Sequence, residues 1–352
     1  MPAVEKCFIE MISTVAQFEK VIVVCADAVY VKKLLNDIPE TQLVLAEIPS
    51  NDTWARDHGG ITVFINGNLL MPNGTLEIQN LSSTINNSPF VPVIYDFTFN
   101  GWGMKFPADK DNLITRRLFQ TPDIGLSMSE TALPENTHSE RLKPKVQSHN
   151  FIFEGGSIES DGEGTLMATS ECLLSPNRNG HLSKTQITQK LKKYFGAERV
   201  LWLNNGYLAG DDTDSHIDTL ARFCAADLIA YVKCEDKNDE HYTALQAMEK
   251  ELKNFRTAHK KPYRLIPLPM PEACYAEDGH RLPATYANFL IINGAVLVPT
   301  YGVKQDDKAL AILTSCFPDR KIIGINCRIL IEQHGSLHCA TMQYPKLVES
   351  VS

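Results

Sequence analysis

One arrangement recurs along this chain and restricts what it can become. A polar segment enters a β-like run, a turn with Gly, Asn or Asp follows, and a second β-like run comes back. In "ARDHGGITVFINGNLLMP" the turn is Asn66-Gly67, a signal for a type I′ hairpin. The plan returns in "EGGSIESDGEGTLMAT" at Asp161-Gly162, in "HIDTLARFCAADLIAYV" near Ala226-Asp227, and in "ATYANFLIINGAVLVP" at Asn293-Gly294. "GSLHCATMQYP" reads as the opening strand of a fifth copy without its return. Helical stretches lie between, each ending in a short apolar strand. "KTQITQKLKKYFG" leads to "RVLWL", "HYTALQAMEKELKNF" to "YRLIPLP", and "DKALAILTSCFP" to "KIIGIN". Near the N-terminus "IEMISTVAQFE" and "KVIVVCA" repeat the helix–strand half with no hairpin ahead of it.

The two ends are therefore complementary halves of one unit. A closed ring of about five α/β units joins them and leaves no sheet edge free. The reading is a single α/β domain over residues 1–352. Residues 101–150, weakly periodic and containing Pro, Ser and Thr, read as an irregular insertion placed to cover the ring's mouth. A doubly wound sheet is the competing architecture, and its Gly-rich βα turn is missing.

Composition narrows the function. Of 352 residues 43% are hydrophobic and 22% charged, as in globular proteins with a sizeable core. Net charge is −8 and the basic residues do not cluster, which argues against a nucleic-acid partner and leaves a cationic ligand unopposed. No apolar run approaches membrane-spanning length, and Met1-Pro-Ala-Val-Glu lacks the pattern of a signal peptide. Nine cysteines are scattered singly with no CxxC, the usage expected of reduced thiols in a cytoplasmic enzyme. A homo-oligomer is compatible with all of this.

In such a ring the first residues of the inner strands converge on the axis. The polar residues there are Asp57, Glu154, His216 with Asp218, Asn288, and Cys339. Carboxylates grip a planar, multi-donor cation, a thiolate attacks carbon, and a histidine moves protons near neutral pH. A guanidinium is the electrophile that suits all three. Each residue alone has a plainer reading: Cys339 as a packing thiol, Asp57 as a partner of Arg56, Trp54 as core. His216-Ile217-Asp218 reads as alternation on a strand, with both polar side chains on one face. "GDDTDSHID" is dense in oxygen ligands, but its spacing fits neither a calcium loop nor a zinc site.

Together, "NDTWARDHGG", "EGGSIESDGEGTLMATSECLLSPNRN", "GDDTDSHIDTLARF", "NFLIINGAVLVP" and "GSLHCATMQYP" resemble the agmatine deiminase and bacterial-type peptidylarginine deiminase family of guanidine-modifying enzymes. The resemblance runs in the family's order over most of the chain. It implies the pentein fold, a five-bladed pseudo-symmetric α/β-propeller, and a hydrolase needing no metal or organic cofactor. By the same resemblance Cys339 is the nucleophile, His216 the general acid and base, and Glu154 the carboxylate that orients it. Asp57 and Asp218 hold the guanidinium. Trp54, Asp212 and Asn288 belong to the substrate site, with Asp212 near the distal amine. Agmatine, a small cationic guanidine, is the substrate implied first; peptidyl-arginine or another small guanidine is the alternative. The chain departs from the family at Gly60, where a proline is usual, and at Ser215 and the "EQHGSLHC" run, where glycines are. Asp212 stands where a glutamate is common, and the aromatic segment ahead of the first helix is missing. These changes lie near the pocket and bear on the substrate's tail.

Overall fold

The computed structural model describes residues 1–66, 90–120, 126–128, 145–345 and 348–350. Four three-stranded sheets share one construction: a hairpin whose second strand pairs in parallel with a strand that arrives after a helix. Ile158–Ser160 and Thr165–Thr169 form one hairpin, and Arg199–Leu203 joins it through helix Lys184–Phe195. Ala221–Ala225 and Leu228–Lys233 are followed by helix Tyr242–Asn254 and strand Arg264–Pro269. Leu290–Ile292 and Ala295–Thr300 are followed by helix Asp306–Cys316 and strand Lys321–Asn326. Ile61–Asn66 pairs with Phe90–Thr98, which pairs with Lys145–Ile152 beyond helix Asp111–Gln120. The fifth sheet has two parallel strands, Val21–Cys25 and Leu43–Glu47. The architecture is a five-bladed α/β-propeller.

Local chemistry explains the elements. Every residue of Thr165–Thr169 is buried, as in a strand covered on both faces, and Ala295–Thr300 is nearly so. Helix Lys184–Phe195 opens with a reciprocal capping box between Ser183 and Gln186 and stops at Gly196, whose φ of 62° suits a residue without Cβ. Helix Tyr242–Asn254 buries Leu245, Met248 and Leu252 at helical spacing along one face.

The chain's two ends meet. In helix Ala3–Val15, Cys7 Sγ lies 3.3 Å from the Asn326 carbonyl, and the Asn293 amide donates to Glu19 at 3.0 Å. The Arg56 amide donates to the Cys339 carbonyl at 3.0 Å, while its guanidinium donates to the His338 carbonyl and to Gln343.

Several expectations are corrected. "GSLHCATMQYP" is a helical turn rather than a strand, because Ala340 and Thr341 donate back to the Ser336 and His338 carbonyls. His216 caps a 3₁₀ turn, Ile217–Thr219, and Asp218 lies within it, so strand alternation is not what aims them. Residues 101–150 are not irregular throughout: helix Asp111–Gln120 and the start of strand Lys145–Ile152 complete a blade. The polar stretch hid a helix whose buried apolar residues, Ile114, Leu118 and Phe119, are a short signal beside its buried Asp111 and Thr115. The Asn66-Gly67 turn and the return strand expected after it fall outside the described residues. The described partner of Ile61–Asn66 is Phe90–Thr98.

Candidate active site

Repetition of the unit brings distant polar residues to one place, because all but Cys339 leave the chain just ahead of an inner strand. Asp57 lies in the helical turn Ala55–His58, before Ile61–Asn66. Glu154 precedes the turn into Ile158–Ser160, and His216 and Asp218 stand before Ala221–Ala225. Asn288 stands before Leu290–Ile292, and Cys339 comes from the turn after Leu330–Gln333.

The contacts are close. His216 Nε2 is 2.6 Å from Glu154 Oε2, and its Nδ1 is 3.6 Å from Asp57 Oδ1 with no hydrogen-bond partner. Cys339 Sγ is 3.9 Å from Asp218 Oδ2 and 3.3 Å from Asn288 Nδ2. Asn288 Oδ1 accepts from the His338 and Cys339 amides, which turns its amide nitrogen toward the sulfur. Gly156 shows the convergence most directly. A Cβ there would sit 2.7 Å from His216 Nδ1, 2.8 Å from Asp57 Oδ1 and 3.1 Å from Asp218 Oδ2.

A cavity of about 240 Å³ opens over this group. Trp54, Asp57, Asp212, Asn288 and Cys339 line it, while Glu154, His216 and Asp218 lie beneath its wall, buried. Among the described residues, five that line it are carboxylates (Asp52, Asp57, Asp211, Asp212 and Glu332), and none is Lys or Arg. Asp212 lies 3.6 Å from His334 Nδ1, and both line the cavity.

Burial and charge set the protonation states. Burial raises the Asp218 carboxyl to about 7, helped by Asp57 and opposed by His216, Arg222 and Arg56. Burial pushes the Cys339 thiol well above its ordinary value, and the carboxylates of Asp218 and Asp57 push the same way. For His216 burial acts downward, but Asp57, Cys172 and Glu154 outweigh it and hold the imidazolium well above its usual pKa. These directions favour a protonated thiol at Cys339 and a protonated ring at His216.

Sequence reasoning passed over several residues that complete this geometry. Arg178 donates to both Glu154 oxygens, at 2.8 and 2.9 Å, and also reaches Asp214. The Trp102 indole donates to Asp57 Oδ2 at 2.9 Å, and Trp102 lines the cavity. His338 contacts Asp218 at 2.8 Å. Arg178 stood in plain view in "SPNRN", and His338 beside Cys339. Neither residue carries a spacing that points to its partner.

The "GDDTDSHID" carboxylates disperse. Asp211 serves its own turn, Asp214 pairs with Lys105 and Arg178, and Asp218 turns to His338. The donors that do cluster are Glu154, Cys172 and His216, within 4.8 Å of one another. Arg178 already neutralises Glu154 there, so a metal ion would have to displace a bidentate guanidinium.

The chain resembles proteins already known. The family model for Porphyromonas-type peptidyl-arginine deiminase matches residues 1–345. A Porphyromonas gingivalis structure assigned provisionally as an arginine deiminase is 49% identical, with a TM-score of 0.84, over 99% of this chain and 91% of that one. A cysteine-to-serine variant of the C. jejuni agmatine deiminase, solved with substrate bound, is 36% identical with a TM-score of 0.78, over 96% and 86% of the two chains. The agmatine deiminase of Medicago truncatula is 30% identical over 97% of this chain and 88% of its own. Arrangement and likeness agree: the chain belongs to the Porphyromonas-type peptidyl-arginine deiminase family.

Proposed function

We propose that this protein is an agmatine deiminase, hydrolysing agmatine to N-carbamoylputrescine and ammonia. The observation that carries the reading is the charge of the cavity wall: among the described residues five carboxylates line it with no lysine or arginine, and His334 stands beside Asp212. A substrate cationic at both ends finds partners along that wall. Free arginine would bring an α-carboxylate into an acidic field with no lysine or arginine to meet it.

Asp57 and Asp218 hold the guanidinium, whose charge offsets the two carboxylates that keep Cys339 protonated. The thiolate then forms under the cation as the thiol proton passes to solvent through the cavity, with the Asn288 amide donating to sulfur. Sγ attacks the guanidine carbon. His216 gives its proton to the departing nitrogen, the C–N bond breaks, and ammonia leaves an amidino-thioether on Cys339. The neutral imidazole next takes a proton from water, whose oxygen attacks the same carbon. Breaking C–S returns the thiolate, the remaining hydroxyl proton passes to solvent, and the ureido product leaves. Trp102 fixes Asp57, and Arg178 with Glu154 fixes His216.

Cys339 rather than Cys172 is the nucleophile in this scheme. Cys339 forms part of the cavity wall, whereas Cys172, 3.8 Å from Glu154, has 0% exposure and does not reach it. Cys339→Ser abolishes turnover with the fold retained, and Cys172→Ser keeps measurable turnover. The reverse pattern overturns the assignment.

Deimination of free or peptidyl arginine is the second reading, favoured by the 49% identical P. gingivalis structure and by the family model. Comparing kcat/KM for agmatine, free arginine and an arginyl peptide separates the two, and agmatine as the poorest of the three sinks the first. A single catalytic domain over residues 1–352 and a cytoplasmic location go with this proposal. Among the described residues no helix is long and apolar enough to cross a membrane.

A further inference from the structure

Behind Asp218 lies a second layer of buried polar groups that the reaction itself does not use. His338 Nδ1 is 2.8 Å from Asp218 Oδ2, and His338 Nε2 is 3.2 Å from Arg222 Nη2. A guanidinium can only donate, so Nε2 must present its lone pair, and the ring's single proton must sit on Nδ1, donating to Asp218. Arg222 is itself fixed in place. It pairs with Glu159 and donates to the Ala287 and Phe289 carbonyls at 3.0 and 2.8 Å. Its guanidinium carbon also stacks 4.7 Å over the Phe289 ring. Those two carbonyls flank Asn288, whose side chain accepts from the His338 amide at 2.9 Å. Asp218 Oδ2 is thereby occupied, and Oδ1 is left buried with no partner.

We propose that His338 is a positioning residue, locked by Arg222 as the Nδ1–H tautomer so that it turns Asp218 Oδ1 toward the substrate. The proposal rests on the deiminase reading for what Oδ1 meets, but the tautomer follows from the contacts alone. Glu159, Arg222, Asn288 and His338 come from successive blades, so the relay also ties the ring together at its axis. Burial, then Arg222, Arg56 and His216, disfavour a charged His338, in keeping with a neutral ring.

The test has two arms. Histidine side-chain nitrogen NMR on the wild-type protein, assigned with His338→Asn, reads the tautomer directly. A neutral Nδ1–H ring between about pH 5 and 8 is expected. An Nε2–H ring or an imidazolium overturns the proposal, whatever the substrate. Steady-state kinetics on agmatine form the second arm. His338→Phe, which donates nothing, should lower kcat/KM by about 100-fold. His338→Asn, whose amide occupies the Nδ1 position, should recover most of that loss. Wild-type kcat/KM in His338→Phe, or equal loss in both folded variants, overturns it. A wild-type protein inactive on every guanidine refutes the deiminase reading and leaves the tautomer result standing.

Discussion

His216 and Asp57 face each other across 3.6 Å without a hydrogen bond, while the other nitrogen of the same ring is 2.6 Å from Glu154. A buried nitrogen left without a partner costs about 1–3 kcal/mol. It faces Asp57 beside Gly156, and on the proposed mechanism its proton is the one passed to the departing nitrogen.

Glu154→Gln should move the alkaline limb of the kcat–pH profile to lower pH. Glu154 is one of the groups that raise the His216 pKa, so removing its charge lets the imidazolium deprotonate earlier. Rates should also fall by about 100-fold or more, as for a disturbed general acid. A limb that stays in place or moves upward, in a variant that still turns over, contradicts this electrostatic assignment.

Gly156→Ala should fold and yet lose activity by about 100-fold or more, because the added methyl enters the gap shared by His216, Asp57 and Asp218. Kinetics alongside thermal unfolding test it, with the overpacking cost expected at about 1–3 kcal/mol. A fully active Gly156→Ala enzyme would mean that the substrate reacts elsewhere.

Asp218→Asn should stabilise the protein in alkali while abolishing turnover. Burial puts this carboxyl at about 7 in the folded chain, against about 3.9 in an unfolded one. Between those values the folded chain keeps a proton that the unfolded chain has lost. The group's stabilising contribution is therefore complete below about pH 4 and drains away as pH rises through about 7. Urea unfolding should show the variant more stable than wild type near pH 8, with the gap closing toward pH 5. Urea is preferred because guanidinium is itself the cation expected to bind. A variant no more stable than wild type near pH 8 disproves the burial argument.

Gly335→Ala should raise KM more than it lowers kcat. The new methyl would press within 2.5 Å of the Trp54 ring, which forms part of the cavity wall. A change of about ten-fold in KM is the scale of one misplaced methyl-sized group in a pocket. An unchanged KM would remove Trp54 from the substrate's path.

The sequence disclosed the unit because hairpin turns such as Asn293-Gly294 and Ala226-Asp227, and helices such as Tyr242–Asn254, are local patterns. It pointed to Asp57, Glu154, His216, Asp218, Asn288 and Cys339 because a repeating unit brings equivalent positions to the axis. Their orientation was another matter. His216 and Asp218 are aimed by a 3₁₀ turn, and Cys339 by a helical one, where strand alternation was expected. The relay of Glu159, Arg222 and His338 was hidden for a related reason. Its members are 63 and 116 residues apart, and a buried ion pair leaves no periodic trace in the chain that makes it.

The contact between Arg56 and His338 joins residues 282 positions apart. Asp57 and Cys339 can therefore share a cavity only once the stretch between them has been synthesised and the circle has shut. On the proposed mechanism a nascent chain still on the ribosome carries Asp57 and Asp218 long before it has the sulfur of Cys339. Turnover waits for that residue, and the first product reports that the circle has shut.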